Sequence, residues 1–143
     1  MGIGMATQRT TTNAHYNLNY HLVWIPKYRR KTLDGVVGER LEAILREIAT
    51  EKELEIVGLE VMPDHIHLFV SSPPQHSPSL LVNWFKGISA KFYNDRFAKD
   101  GSGRIRWAHG YYAGSAGTVT SDTIKIYIEE QTRCRDTSVE SQE

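Results

Sequence analysis

Residues 55–71 read EIVGLEVMPDHIHLFVS. Residues 55–62 and 65–71 are apolar-rich runs of strand length, and Pro63-Asp64 between them is a turn-forming dipeptide, so the stretch predicts a β-hairpin. Upstream, residues 34–52 put Val37, Leu41, Ile44, Leu45 and Ile48 on one helical face, with Glu and Arg on the other. Further upstream, residues 15–25 (HYNLNYHLVWI) alternate polar and apolar up to Pro26, which suits a strand. Downstream, past the turn-rich SSPPQHSPS, a second helix places Leu81, Trp84, Phe85, Ile88 and Phe92 on one face and ends before Gly101 and Gly103. Residues 104–117 hold a strand around 111–114. A last helix starts near the caps Thr120, Ser121 and Asp122 and runs through Ile124, Tyr127, Ile128 and Gln131. The order β-α-β-β-α-β plus a terminal helix predicts an α+β, ferredoxin-like (RRM-like) antiparallel sheet with helices on one face. Many functions use that architecture, so function has to be read from a site.

The chain has 143 residues, 40% hydrophobic and 24% charged, enough for one domain with a real core. That composition excludes a disordered, collagen-like or low-complexity chain. No apolar run approaches the ~20 residues of a membrane helix, and residues 1–14 lack the apolar core of a signal peptide. The single cysteine, Cys134, cannot form an internal disulfide, and with it the expected compartment is the cytoplasm. Residues 1–14 and 134–143 read as flexible tails around a domain at 15–133. A balance of 17 basic against 17 acidic groups disfavours nucleic acid when taken as a sum, but the charge is unevenly spread. Residues 1–35 and 65–110 each carry a net +4, whereas 36–64 carry −5 and 111–143 carry −3. Such a chain attracts phosphate on one side and repels it on another.

His65 and His67 are two apart in a strand, so both project to the same face. Two imidazoles so spaced can chelate one divalent metal, or can be two solvent-facing histidines of an amphipathic strand. His15, His21, His76 and His109 are scattered and read as structural or exposed rather than as ligands. Asp64 reads as a turn residue first and as an orienter of an imidazole second. Four closely spaced N/S ligands for structural zinc are absent. On the last helix Tyr127 and Gln131 are four apart and share a face. Gln131 offers a neutral oxygen to a hard cation and Tyr127 a phenol nucleophile. Alternatively, Tyr127 packs beside Ile124 and Ile128 while Gln131 is solvated.

Four segments together resemble the single-tyrosine HUH transposase family of the smallest bacterial and archaeal insertion sequences. They are residues 20–30 (YHLVWIPKYRR), 61–70 (VMPDHIHLFV), the Lys86-Gly87-x-Ser89-Ala90 stretch, and 110–131 (GYYAGSAGTVTSDTIKIYIEEQ). The resemblance implies a homodimeric enzyme that cuts and rejoins single-stranded DNA with hairpin ends. It also implies Tyr127 as nucleophile, with Mg2+ or Mn2+ held by His65, His67 and Gln131. The catalytic helix is then contributed in trans by the partner subunit. A repeat-palindrome-associated tyrosine transposase is the neighbouring alternative, and a non-catalytic ferredoxin-like RNA-binding module the alternative from another class.

DNA contact is expected from Lys27, Tyr28, Arg29, Arg30 and Lys31, with Trp24 beside them to stack a base. A second candidate surface comprises Lys86, Lys91, Arg104, Arg106 and Trp107, whereas Trp84 and Phe85 read as core.

Overall fold

The computed structural model describes residues 9–10, 15–16, 18–27, 32–100, 103–115 and 125–130. Two short strands, β1 (Arg9–Thr10) and β2 (His15–Tyr16), pair antiparallel in a small sheet of their own. The main sheet has four strands, β3 (Asn19–Trp24), β4 (Glu55–Met62), β5 (His65–Ser71) and β6 (Tyr112–Ser115). Their order is β4-β5-β3-β6, and every neighbouring pair is antiparallel. Helix α1 (Gly35–Glu51) joins β3 to β4, and α2 (Pro78–Phe97) joins β5 to the segment before β6. Residues 125–130 form a further helical segment, α3. The main-sheet elements therefore run β-α-β-β-α-β, an α+β architecture.

The expected single strand over 15–25 is two strands. Asn19 and its successors pair with β5 and β6 on either side, while β2 pairs with β1 instead. Arg9 and Thr10, placed in a loose tail by the sequence reading, thus belong to a strand pair; Thr10 is β-branched, and such residues favour extended chain. The caps at 120–122, Ile124, Gln131, Cys134 and most of the two expected tails lie outside the described residues.

Alternation decides the layers. Leu22 and Trp24 of β3 and Ile66, Leu68 and Val70 of β5 face α1 and α2, where they meet Leu41, Ile44, Leu45, Ile48, Leu81, Val82 and Phe85 in one buried cluster. A register shift between Ile56 and Gly58 adds one residue to β4, so that Ile56, Leu59 and Val61 all reach this cluster despite their odd spacing. Val23 and Ile25 point the other way and form a second cluster with Ala108 and Ile128, joined by Tyr112 and Tyr127. Helix α3 therefore packs on the face of the sheet opposite α1 and α2.

Ser77 caps α2 by accepting from Leu80 N at 3.1 Å, with Pro78 in the first turn. The connection into α1 is tied to the hairpin by Leu33 N donating to Pro63 O at 3.1 Å. Gly38 lies against it: a Cβ there would stand 2.4 Å from the Leu33 carbonyl oxygen. Gly87 of α2 has nothing within 4 Å of such a Cβ. Gly38→Ala should lower stability by roughly 1–3 kcal/mol, and Gly87→Ala should raise it by about 0.5–1 kcal/mol. Denaturant midpoints read both, and equal effects at the two positions would contradict the packing described.

Candidate active site

The face of the sheet that lacks α1 and α2 gathers histidine. On β5, His65, His67 and Phe69 alternate with the buried Ile66, Leu68 and Val70, as the two-residue spacing predicts. His67 lies directly opposite Val23 on β3 and Glu60 on β4. His21 of β3 lies between Phe69 on one side and Gly114 on the other. Its ring stacks on Phe69 at 4.2 Å, and its Nδ1 approaches Nε2 of His67 to 2.8 Å. His21, Glu60, His67, Phe69, Gly58 and Leu59 line a cleft of about 80 Å³.

Each histidine of the pair has a carboxylate at Nδ1. His65 Nδ1 donates to Asp64 Oδ1 at 2.9 Å, and His67 Nδ1 stands 3.5 Å from Glu60 Oε1. With the proton on Nδ1, Nε2 carries the lone pair, which in His67 accepts from His21 Nδ1–H. A carboxylate–imidazole pair of this kind fixes the tautomer and aims Nε2, the arrangement that metal-binding histidines use. Asp64 thus does both jobs weighed for it, turning the hairpin and orienting His65. Burial holds the pKa of His67 below the ordinary value, with the Glu60 charge opposing and His65 adding to the lowering. His21 is lowered by burial and then by His67. Both shifts favour the neutral imidazole at pH 7. Among the described residues no three His, Cys, Asp or Glu side chains gather as a metal-holding group. Gln131, the expected third ligand, lies outside them.

Tyr127 sits on α3, its ring 6.1 Å from that of Tyr112. Tyr112 is paired with Val23, and Val23 with His67, so the tyrosine cluster adjoins the histidines on one face. His21 is the residue that sequence reasoning missed. Its only signal was being in phase with Val23 and out of phase with Leu22, and its partner is 46 positions away.

The basic candidates separate. Residues 28–31 lie outside the described residues, while Lys27 donates its backbone N–H to Arg106 O at 2.9 Å. The bridge of Pro26 to Trp107 places Lys27, the described member of the first expected surface, beside Arg106 of the second, with Arg104 and Arg106 exposed. Lys86 is turned inward, donating to Ala108 O at 2.7 Å and Gly110 O at 3.0 Å. Lys91 lies about 140° further round the helix, exposed and paired with Asp95 at 3.1 Å. The structure therefore does not join Lys86 and Lys91 in one surface. Trp24 is fully buried, edge-on to Trp107 at 6.0 Å, because it shares the phase of Leu22; it is core and not a base-stacking residue. Trp107 is half-buried and donates Nε1–H to Ser89 Oγ at 3.1 Å. Phe85 is core as expected, and Trp84 is partly buried, packed against the same cluster with Lys52 over its ring.

Residues 14–131 match the family described as "Transposase IS200 like". The ISDra2 transposase TnpA of Deinococcus radiodurans is 39% identical over 120 residues, spanning 81% of this chain and 85% of that one. The chain belongs to the IS200-like transposase family. DNA transposition, the cutting and rejoining of DNA, is the activity that this membership carries. The transposase for insertion sequence element IS200 of Salmonella typhimurium is 31% identical over 132 residues, covering 88% and 87% of the two chains. A crystal structure of a Deinococcus radiodurans R1 protein assigned as a transposase superposes with a TM-score of 0.74. It shares 38% identity and covers 86% of this chain and 97% of that one. A REP-associated tyrosine transposase bound to a REP hairpin gives a TM-score of 0.52 at 13% identity, over 82% and 68% of the chains, a likeness of fold alone. No helix among the described residues is long and apolar enough to cross a membrane.

The lowered pKa values of His21 and His67 make a signed prediction. The folded chain binds fewer protons at these rings than the unfolded chain, so their contribution is complete above the unfolded value of about 6.5 and is lost as pH falls through it. The stability advantage of the native chain over His21→Phe, measured by denaturant midpoint with chelator present, should shrink between pH 7.5 and 5.5. A gap that widens on acidification would contradict neutral, buried imidazoles.

Proposed function

We propose that this transposase cleaves and rejoins single-stranded DNA at insertion-sequence ends through a covalent 5′-phosphotyrosine on Tyr127. The observation that carries the reading is that His65 and His67 project from the same sheet face on which the Tyr127 helix packs. The main sheet with its two layers fits the ferredoxin-like class, and among the described residues α3 alone packs on its histidine face. The insertion-sequence relatives at 31–39% identity favour this over the repeat-palindrome alternative, which has only a fold likeness at 13% identity.

The phenol oxygen of Tyr127 attacks the scissile phosphorus. A P–O bond to Tyr127 forms as the bond to the 3′ oxygen breaks. The phenol loses its proton, the departing oxygen gains one, and a free 3′-OH remains. Attack by a 3′-OH of another strand reverses the step, expels the phenol and seals a new junction without ATP. A divalent cation, Mg2+ or Mn2+, held by His65, His67 and Gln131 supplies, when bound, charge neutralisation at a non-bridging phosphate oxygen. The two imidazoles suit that role because Asp64 and Glu60 hold their Nδ1 atoms and burial keeps His67 neutral. To present His67 Nε2 to a ligand, the chain must release it from His21. Lys27 and Arg106, adjacent past the end of β3, pair the phosphates of the incoming strand with Arg104 close by in sequence. In a dimer that exchanges its tyrosine helices, the partner's helix occupies this same seat, so that each site takes its histidines from one subunit and its tyrosine from the other.

Tyr127→Phe should abolish covalent attachment to a labelled single-stranded element end in Mg2+ on a denaturing gel, while hairpin binding stays within about twofold. An adduct surviving in that variant would overturn the nucleophile assignment. His65→Ala should stop cleavage by loss of metal, and unchanged cleavage would remove the metal site. Mixing Tyr127→Phe with His67→Ala subunits should restore cleavage, whereas no recovery would place each complete site within one chain.

A further inference from the structure

Segment 105–110 precedes β6 and carries little ladder of its own. Backbone bonds from Lys27 N to Arg106 O and from Ala108 N to Ile25 O, each 2.9 Å, tie it to the end of β3. Helix α2 holds the rest with side chains. Asn94 clasps Ile105 at both backbone atoms, Ile105 N donating to Oδ1 at 2.7 Å and Nδ2 donating to Ile105 O at 3.1 Å. Ser89 is fully buried, accepting from Trp107 Nε1 and donating to Lys86 O at 3.1 Å. Lys86 completes the series at Ala108 and Gly110.

Lys86 is the costly member. Its ammonium is half-buried, its pKa lowered by desolvation, and among the described residues no carboxylate pairs with it. Burying a charge against neutral carbonyls alone is expensive and contributes little to stability that a hydroxyl or amide would not. What the ammonium adds is geometry: a single nitrogen fixes two carbonyls two residues apart, on either side of His109 and up to Gly110, where the backbone turns with a φ of +85°. The carbonyls it holds bracket the seat of α3. Ala108 is buried in the cluster of Val23, Ile25 and Ile128, and Tyr112, two residues beyond Gly110, meets Tyr127 ring to ring.

We propose that Lys86 is a positioning residue for the nucleophile: through the Ala108 and Gly110 carbonyls it fixes the seat on which the Tyr127 helix docks. The inference rests on the reading of Tyr127 as nucleophile and adds the device that sets its place over the histidine face. It also reassigns Lys86 from phosphate contact to brace. A displaced seat leaves DNA binding intact and moves the phenol away from the phosphorus, and misplacement by about 1 Å is enough to slow a step on the order of 10- to 100-fold.

The test compares Lys86→Met, which keeps the aliphatic stem and removes the donors, with Lys86→Arg, which keeps donors at that position. Three quantities are read in Mg2+ with a single-stranded oligonucleotide carrying the element end. They are the single-turnover rate of adduct formation at saturating DNA, the dissociation constant, and backbone hydrogen exchange at residues 108–112 and 125–130. For Lys86→Met the expected result is a 10- to 100-fold slower adduct, a dissociation constant within about twofold, and faster exchange confined to those two segments. Lys86→Arg should restore protection at 125–130. Weaker binding with an unchanged saturated rate would make Lys86 a phosphate contact and overturn the proposal. So would unchanged exchange, exchange spread through α1 and β5, or no recovery with Arg. If Met at 86 unfolds the chain, which circular dichroism reports, Lys86→Gln is read by the same criteria. Tyr127→Phe run alongside separates the two ideas: an adduct in that variant overturns the nucleophile reading, whereas hydrogen exchange judges the brace independently.

Discussion

The two-residue alternation of β5, held between β3 and β4, is the constraint on which the rest depends. Ile66, Leu68 and Val70 must face the helices, because those side chains close the larger core. His65, His67 and Phe69 are thereby committed to the opposite face, and a slip of one residue would bury both histidines. The core under α1 and α2 and the imidazoles over the open face are thus one decision written into seven residues. Asp64 in the turn and Glu60 on the partner strand then finish the site, since each is placed by the hairpin register next to an Nδ1.

The second layer of control comes from the other edge of the sheet. β6 is short, four residues, and the stretch before it is irregular. It is fixed by Asn94, Ser89 and Lys86 from α2 and not by a continuous ladder. That arrangement lets one helix in the main core set the height of a small apolar cluster on the far face, where Ile128 and Tyr127 rest. On the helical side of the molecule, Glu47 of α1 is drawn into a bidentate pair with Arg96 of α2 at 2.9 Å. The exposed Arg106 stands past the end of β3, its carbonyl bonded to the Lys27 backbone, and the exposed Arg104 is two residues before it. Overall neutrality is therefore compatible with a DNA-binding face.

What local pattern encodes was legible in the sequence. The hairpin, α1 to within a residue at each end, the existence of α2 between the turn-rich stretch and Gly101, the shared face of His65 and His67 and the main-sheet order of elements all follow from periodicity and turn chemistry. What depends on register between distant strands was not. His21 meets His67 only because β3 and β5 pair in one particular alignment, and Glu60 meets it for the same reason on β4. Trp24 was misread from its basic neighbours, although its phase with Leu22 already pointed to the core. Lys86 carried a comparable signal, lying four residues after the buried Val82 and three before the buried Ser89, on the flank of the helical stripe that faces inward. The strand pair of Arg9–Thr10 with His15–Tyr16 is too short for any periodicity to register.

The central claim is that the histidine face and the tyrosine helix are the two halves of one DNA-cleaving centre. Its most direct test is to trap the covalent complex with a single-stranded element end in Mg2+, digest it with trypsin and nuclease, and sequence the modified peptide by mass spectrometry. The account predicts a 5′-phosphonucleotide on Tyr127, within the peptide spanning residues 126–133 (IYIEEQTR). A nucleotide on Tyr111, Tyr112 or any other side chain would contradict it.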